Sequence, residues 1–257
     1  MNPRALILHA TGTNRDRDVA RAIELAGGSP DIRHIHELLH RRAAWGEYQM
    51  LVVPGGFSYA DALGAGRLLA LDLEAYFADQ VRAFVGAGKP VIGICNGFQA
   101  LVRAGILPGI ANVRATLTFN QSGHFECRWV TLRAVSSQCV WTQGLSDLID
   151  CPVAHGEGRF LISPKEGWME LQQNDQIALV YSSREGEPAG GAYPENPNGS
   201  PGDVAGVCNP QGNVLGLMPH PENHIFYWQH PRWTRGFRGR LGLRLFENGV
   251  RYASQIN

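Results

Sequence analysis

Three short runs, residues 5–9, 50–53 and 91–94, are apolar at nearly every position. Neither face of such strands can be left in water, so they belong in a largely parallel sheet with helices over both sides. The segments between them carry helical spacing. Val19, Ala22, Ile23 and Ala26 fall on one helical face, Asn14 and Asp16 stand ahead of them as candidate caps, and Gly27-Gly28 closes the pattern. Residues 73–85 repeat the spacing up to Gly86-Ala87-Gly88, and residues 96–103 read as a short helix. From about residue 112 the texture changes to alternating strands at 125–132, 177–181, 204–207 and 214–218, the last two joined across Asn209-Pro210-Gln211-Gly212-Asn213. Residues 186–202, crowded with Gly, Pro, Asn and Ser, read as a surface loop. Leu241, Leu243, Leu245, Phe246 and Val250 read as a terminal helix. No internal repeat or linker interrupts the pattern, which predicts one α/β domain, 1–257, on an open mixed sheet.

Composition narrows the function classes. Lys+Arg and Asp+Glu are both 23, so no overall field draws the chain to nucleic acid or to an acidic membrane. The longest apolar runs are far too short for a bilayer and the opening residues too brief for a secretory signal, which predicts a cytoplasmic protein. Five cysteines, an odd number with no Cys-x-x-Cys spacing, argue against a disulfide framework or a structural zinc site.

Chemistry concentrates in three peptides. Gly93-Ile94-Cys95-Asn96-Gly97 lies where a buried strand meets a helix, and a nucleophile on so sharp a turn needs small residues two before and two after it. The helix N-terminus favours a thiolate at Cys95, and the Asn96 N–H is aimed at an oxyanion on the attacked carbonyl. The other reading is a buried cysteine whose glycines serve packing. Pro54-Gly55-Gly56-Phe57 follows another buried strand and offers a second oxyanion donor, Gly56 first and Gly55 second; otherwise it is an ordinary Pro-Gly turn. In Pro219-His220-Pro221-Glu222 the prolines favour extended backbone, where residues i and i+2 face one side. Glu222 would then orient His220 as the base of a Cys95–His220–Glu222 triad, against a merely structural histidine.

Four blocks together carry a resemblance to the class I, triad-type glutamine amidotransferases. They are Pro54-Gly55-Gly56-Phe57-Ser58-Tyr59-Ala60-Asp61, Gly93-Ile94-Cys95-Asn96-Gly97-Phe98-Gln99, Ala154-His155-Gly156-Glu157-Gly158-Arg159-Phe160, and Asp203-Val204-Ala205-Gly206-Val207 with Gly216-Leu217-Met218-Pro219-His220-Pro221-Glu222. Within the family the chain is similar to the branch that supplies ammonia to an ATP-using amidine synthetase of purine biosynthesis. The resemblance implies a flavodoxin-like open mixed sheet with helices on both faces, and L-glutamine as substrate. It implies that Gln99 helps hold the glutamine and that the strand around Gly156 and Glu157 meets its amino-acid end. Arg128 is left open between pairing with the substrate carboxylate and sitting on the sheet edge. The implied partner is a synthetase subunit, with or without a small accessory subunit. ATP and magnesium then belong on that partner, since this chain has no Gly-x-x-x-x-Gly-Lys-[Ser/Thr] loop and is expected to hold no cofactor or metal.

Three features depart from the family pattern: Asn223 where arginine usually follows His-Pro-Glu, the opening Thr11-Gly12-Thr13-Asn14-Arg15-Asp16, and an aromatic and arginine-rich segment at 226–240. They bear on docking, not on the triad. Two rivals stand beside this reading. One is a stand-alone γ-glutamyl hydrolase or peptidase of the same fold; the other is a non-catalytic docking subunit.

Overall fold

The computed structural model describes residues 2–40 and 42–256. Helix and strand alternate first, as β1 (Arg4–His9), α1 (Asp16–Leu25), β2 (Ser29–His34), α2 (Ile35–His40), β3 (Met50–Val53), α3 (Arg67–Gly86), β4 (Val91–Ile94) and α4 (Asn96–Arg103). Strands then dominate: β5 (Arg114–Thr118), β6 (Glu126–Ala134), β7 (Ile149–His155), β8 (Arg159–Ser163), α5 (Gly167–Gln173), β9 (Ile177–Ser182), β10 (Val204–Cys208), β11 (Val214–Leu217) and α6 (Leu243–Ala253). Among the described residues nine strands form one mixed sheet in the order β2-β1-β3-β4-β11-β10-β9-β6-β7, and β5 and β8 make a separate ribbon. The strands from β2 to β11 run parallel, and those from β11 to β7 antiparallel. Every residue of β3, β4 and β11 is buried, because helices cover both faces of the parallel half. On these faces α1 packs with α6, and α3 with α4.

Where the fold differs from the sequence reading, the cause is local. β2, Ser29-Pro30-Asp31-Ile32-Arg33-His34, has no apolar run to mark it as a strand in the sequence; it is an edge strand, half exposed. β7 is the opposite edge and carries Pro152. A proline on each edge removes a ladder donor where no further strand should add. α3 begins at Arg67, ahead of Leu73, because Leu69 and Ala70 extend its buried stripe back to Gly66, which sits at φ 70. No side chain caps α1. Asp16 is its first helical residue, and its carboxylate lies 2.8 Å from His9 Nδ1. No helix among the described residues is long and apolar enough to cross a membrane.

Candidate active site

β3, β4 and β11 lie side by side, with Val53 opposite Gly93 and Leu217 opposite Ile94. The three chemistry-bearing peptides leave these strand ends at one level, the place where open α/β sheets bind ligands. Cys95 N–H donates to Leu217 O at 2.8 Å, tying the end of β4 to that of β11. Cys95 has φ 50 and ψ −105, a conformation that costs a non-glycine residue about 1–3 kcal/mol and needs its surroundings to hold it. Those surroundings require glycine. A Cβ on Gly97 would lie 1.8 Å from Val53 O, and one on Gly93 would lie 2.5 Å from Leu101 Cδ1. Without side chains there, β3, β4 and α4 close tightly enough to hold the turn, and Cys95 stands as the N-cap of α4.

His220 lies three residues beyond β11, its backbone N–H bound to Pro152 O of β7 at 2.8 Å. Its Nδ1–H donates to Glu222 Oε1 at 2.6 Å, with side-chain exposures of 4% and 0%. The route differs from the predicted strand alternation. Residues Pro221–Asn223 form a 3₁₀ turn, closed by Asn223 N–H on His220 O at 3.2 Å, and this turn brings the carboxylate back to the ring. Burial pulls the His220 pKa down. The charge of Glu222, hydrogen-bonded to the ring, and the neighbouring Cys95 outweigh it and raise the value to about 10. Imidazolium is therefore the form at neutral pH. Cys95 Sγ also lies 3.7 Å from Ala154 O. Gly55 walls the other side, since a Cβ there would stand 2.7 Å from His220 Cε1. The expected arginine position, Asn223, donates instead to Asp18 of α1 at 3.0 Å.

Gly56 has φ 140, and a Cβ on it would meet Asn14 N at 2.7 Å and Gly12 O at 3.0 Å. The opening loop thus shapes this one: Phe57 N–H donates to Gly12 O at 3.0 Å, and Arg15 N–H to Gly55 O at 3.3 Å. Asn96 fastens the loop from the other side. Its Oδ1 accepts from Ser58 N–H at 3.1 Å and Ser58 Oγ–H at 2.5 Å, and its Nδ2 donates to Asp61 at 2.9 Å. Neither Gly56 N–H nor Asn96 N–H is bonded to a protein acceptor among the described residues.

Gln99 is buried, its Nε2 donating to Glu157 O at 2.7 Å and its Oε1 accepting from Asn96 Nδ2 at 3.2 Å. The Glu157 carboxylate accepts from Ala65 N–H at 3.3 Å and lies 3.5 Å from Arg103; Gly156 O accepts from Asn120 N–H at 2.9 Å. These bonds hold residues 154–157 against the cysteine by the backbone, with the Gln99 and Glu157 side chains turned to the task. Arg128, on the interior strand β6, pairs with Glu126 at 2.9 Å and stacks on Tyr193 at 4.4 Å. In the sequence His155 is marked only by its place inside one of the four blocks. It is buried, its Nδ1 is 3.0 Å from Asn120 Oδ1, and burial with the His220 charge pushes its pKa down to about 3, so it stays neutral. Among the described residues no group of three or more His, Cys, Asp or Glu side chains is placed to hold a metal. A cavity of about 900 Å³ between α3, α4 and β5 is lined by none of Cys95, His220 and Glu222.

A strained cysteine between a buried strand and a helix, beside a histidine–carboxylate pair, has the make-up of a thiol-dependent acyl-transfer site. Residues 2–253 match the family described as the CobB/CobQ-like glutamine amidotransferase domain, and the chain belongs to that family. The phosphoribosylformylglycinamidine synthase subunit PurQ of Treponema denticola is 54% identical over 98% of this chain and 99% of its own length. The subunit of the same name from Dehalococcoides mccartyi is 43% identical, with 98% of each chain covered. In the solved structure of PurLQS from Thermotoga maritima, one chain is 30% identical with a TM-score of 0.75, over 98% of this chain and 99% of that one. The mixed sheet flanked by helices is the fold shared with that chain.

Proposed function

We propose that this chain is the glutaminase subunit of a phosphoribosylformylglycinamidine synthase. As a single glutaminase domain in the cytoplasm, it hydrolyses L-glutamine and passes ammonia to a synthetase subunit. That partner uses ATP and magnesium to convert formylglycinamide ribonucleotide to the amidine in de novo purine biosynthesis. The observation that carries this reading is 54% identity to such a subunit along nearly the whole chain. The meeting of Cys95, His220 and Glu222 supports it with a mechanism.

The Cys95 thiolate attacks the side-chain amide carbon of glutamine, and the oxyanion that forms accepts from Gly56 and Asn96 N–H. As the C–N bond breaks, the His220 imidazolium gives its proton to the nitrogen, releasing ammonia and leaving a γ-glutamyl thioester. Neutral His220 then takes a proton from water as its oxygen attacks. The C–S bond breaks, glutamate leaves, and the ion pair is restored. Glu222 holds the ring and stabilises its charge throughout. Gln99 helps hold the glutamine, and the strand around Gly156 and Glu157 meets its amino-acid end.

In the test, parent and Cys95→Ala chains are reconstituted with the synthetase. The variant should lose glutamine-dependent amidination while amidination from added ammonia persists. A diazo or chloroketone glutamine analogue should label Cys95. Labelling of Cys127, Cys139, Cys151 or Cys208 would overturn the assignment. Full glutaminase activity without any synthetase effect would favour a stand-alone hydrolase, and none under any condition a docking subunit.

A further inference from the structure

The aromatic and arginine-rich segment between the triad and α6 is a built surface. Residues 225–241 carry four arginines and no Asp or Glu, in a chain of net charge zero. Tyr227, Trp228 and Trp233 are 39%, 50% and 41% exposed within seven residues. Among the described residues Arg232 and Arg235 form no ion pair with a carboxylate. The exposed groups are nonetheless held in place. Phe226 and Trp228 stack with ring centroids 4.4 Å apart and 9° between planes, and Gln229 Oε1 accepts from Ile225 and Phe226 N–H, both at 2.8 Å. Holding large aromatics rigidly in water removes the entropy cost a partner would otherwise meet on binding, and tryptophan, tyrosine and arginine dominate interface energetics.

The base of this loop is joined to the site. Gly242 N–H donates to His224 O at 2.8 Å, and a Cβ on Gly242 would stand 2.2 Å from Pro221 O. The loop therefore closes on the same turn that carries Glu222. Beside it, a cavity of about 500 Å³ against Trp129 is lined by Arg184, Arg232 and Arg240 together with Asp150 and Glu185. Arg240 lies 3.8 Å from Asp150, which leaves Arg232 as the arginine of the loop that can meet a carboxylate there.

We propose that residues 225–241 are the docking surface for an acidic face of the synthetase subunit, an inference that rests on the function proposed above. The arginines supply the charge, the aromatics the buried contact, and the closed base ties the bound loop to the His220–Glu222 turn.

The experiment compares the parent with a chain carrying Arg232→Glu, Trp233→Ala and Arg235→Glu, after melting curves establish that both are folded. Glutaminase activity and complex formation are titrated with the synthetase from the same source. The variant should need at least about tenfold more synthetase for half-saturation, with an unchanged saturated rate. Raising salt from about 0.05 to about 0.5 M should weaken parent binding far more than variant binding. Equal half-saturation for both chains, or a lower saturated rate alone, would overturn the docking surface while leaving the function standing. A parent chain that binds no synthetase would instead overturn the functional reading and the docking site with it.

Discussion

Glu222→Gln isolates what the carboxylate does for the imidazolium. The side chains are nearly isosteric, Glu222 is fully buried, and its Oε1 lies 2.6 Å from His220 Nδ1. Opposite charges about 4 Å apart at an effective dielectric of about 20 attract by ~4 kcal/mol. A neutral amide oxygen keeps about 1 kcal/mol of that as a hydrogen bond, so the imidazolium loses about 3 kcal/mol. If the charged ring is needed in the transition state, kcat for glutamine hydrolysis at saturating synthetase should fall roughly 10²-fold, with KM little changed. Stability supplies an independent reading. The His220 pKa is raised from 6.5 to about 10 in the folded chain, so the stabilisation from its charged form is complete below 6.5 and disappears as pH rises through 10. The gap in melting temperature between parent and variant should be widest near pH 6.5 and shrink toward pH 10. An unchanged kcat with a raised KM would make Glu222 a binding group and refute the reasoning.

Two more substitutions test the scaffold. Gly97→Ala forces a Cβ to within 1.8 Å of the Val53 carbonyl oxygen; calorimetry should show a loss of about 3 kcal/mol and a melting temperature lower by roughly 6–12 °C, and a shift under about 1 °C would mean the turn relaxes freely. Gln99→Leu strips Glu157 O and Asn96 Nδ2 of a buried partner; the expected result is a stability loss of about 2–4 kcal/mol with a several-fold rise in KM for glutamine, whereas an unmoved KM would detach residues 154–157 from substrate binding.

The parallel half was legible because each of its buried strands is written in contiguous apolar residues, and each of its turns in glycine or proline. The three chemical peptides were legible for the same reason. What stayed hidden depends on partners distant in sequence. Gly56 keeps its conformation because residues 12–14 fill the space beside it, a contact spanning more than forty positions. His155 reads as one more strand residue until Asn120 and His220 are seen next to it. β2, polar and with a proline, resembles a loop in the sequence and becomes a strand because β1 offers it an unpaired edge.

The site is as much a consequence of sheet register as of residue identity. Leu217 pairs with Ile94, so the residue after β4 and the peptide after β11 emerge together, and Cys95 N–H on Leu217 O fixes them there. β3 brings Gly55 to the same level through the pairing of Val53 with Gly93. The antiparallel half then supplies the remaining wall, for β7 presents Pro152 O to the His220 backbone and Ala154 O to the thiol. A slip of one residue between β4 and β11 would turn every side chain of one strand to the other face and move Cys95 about 3 Å along its neighbour. Close packing opposes that slip, because it would bring a leucine to the place of Gly216, where even a Cβ would lie 2.1 Å from Phe98 Cδ2 and 2.6 Å from Leu107 Cδ1. The glycines that let these apolar strands pack against α4 thus also set the level at which Cys95 and the His220 peptide leave the sheet.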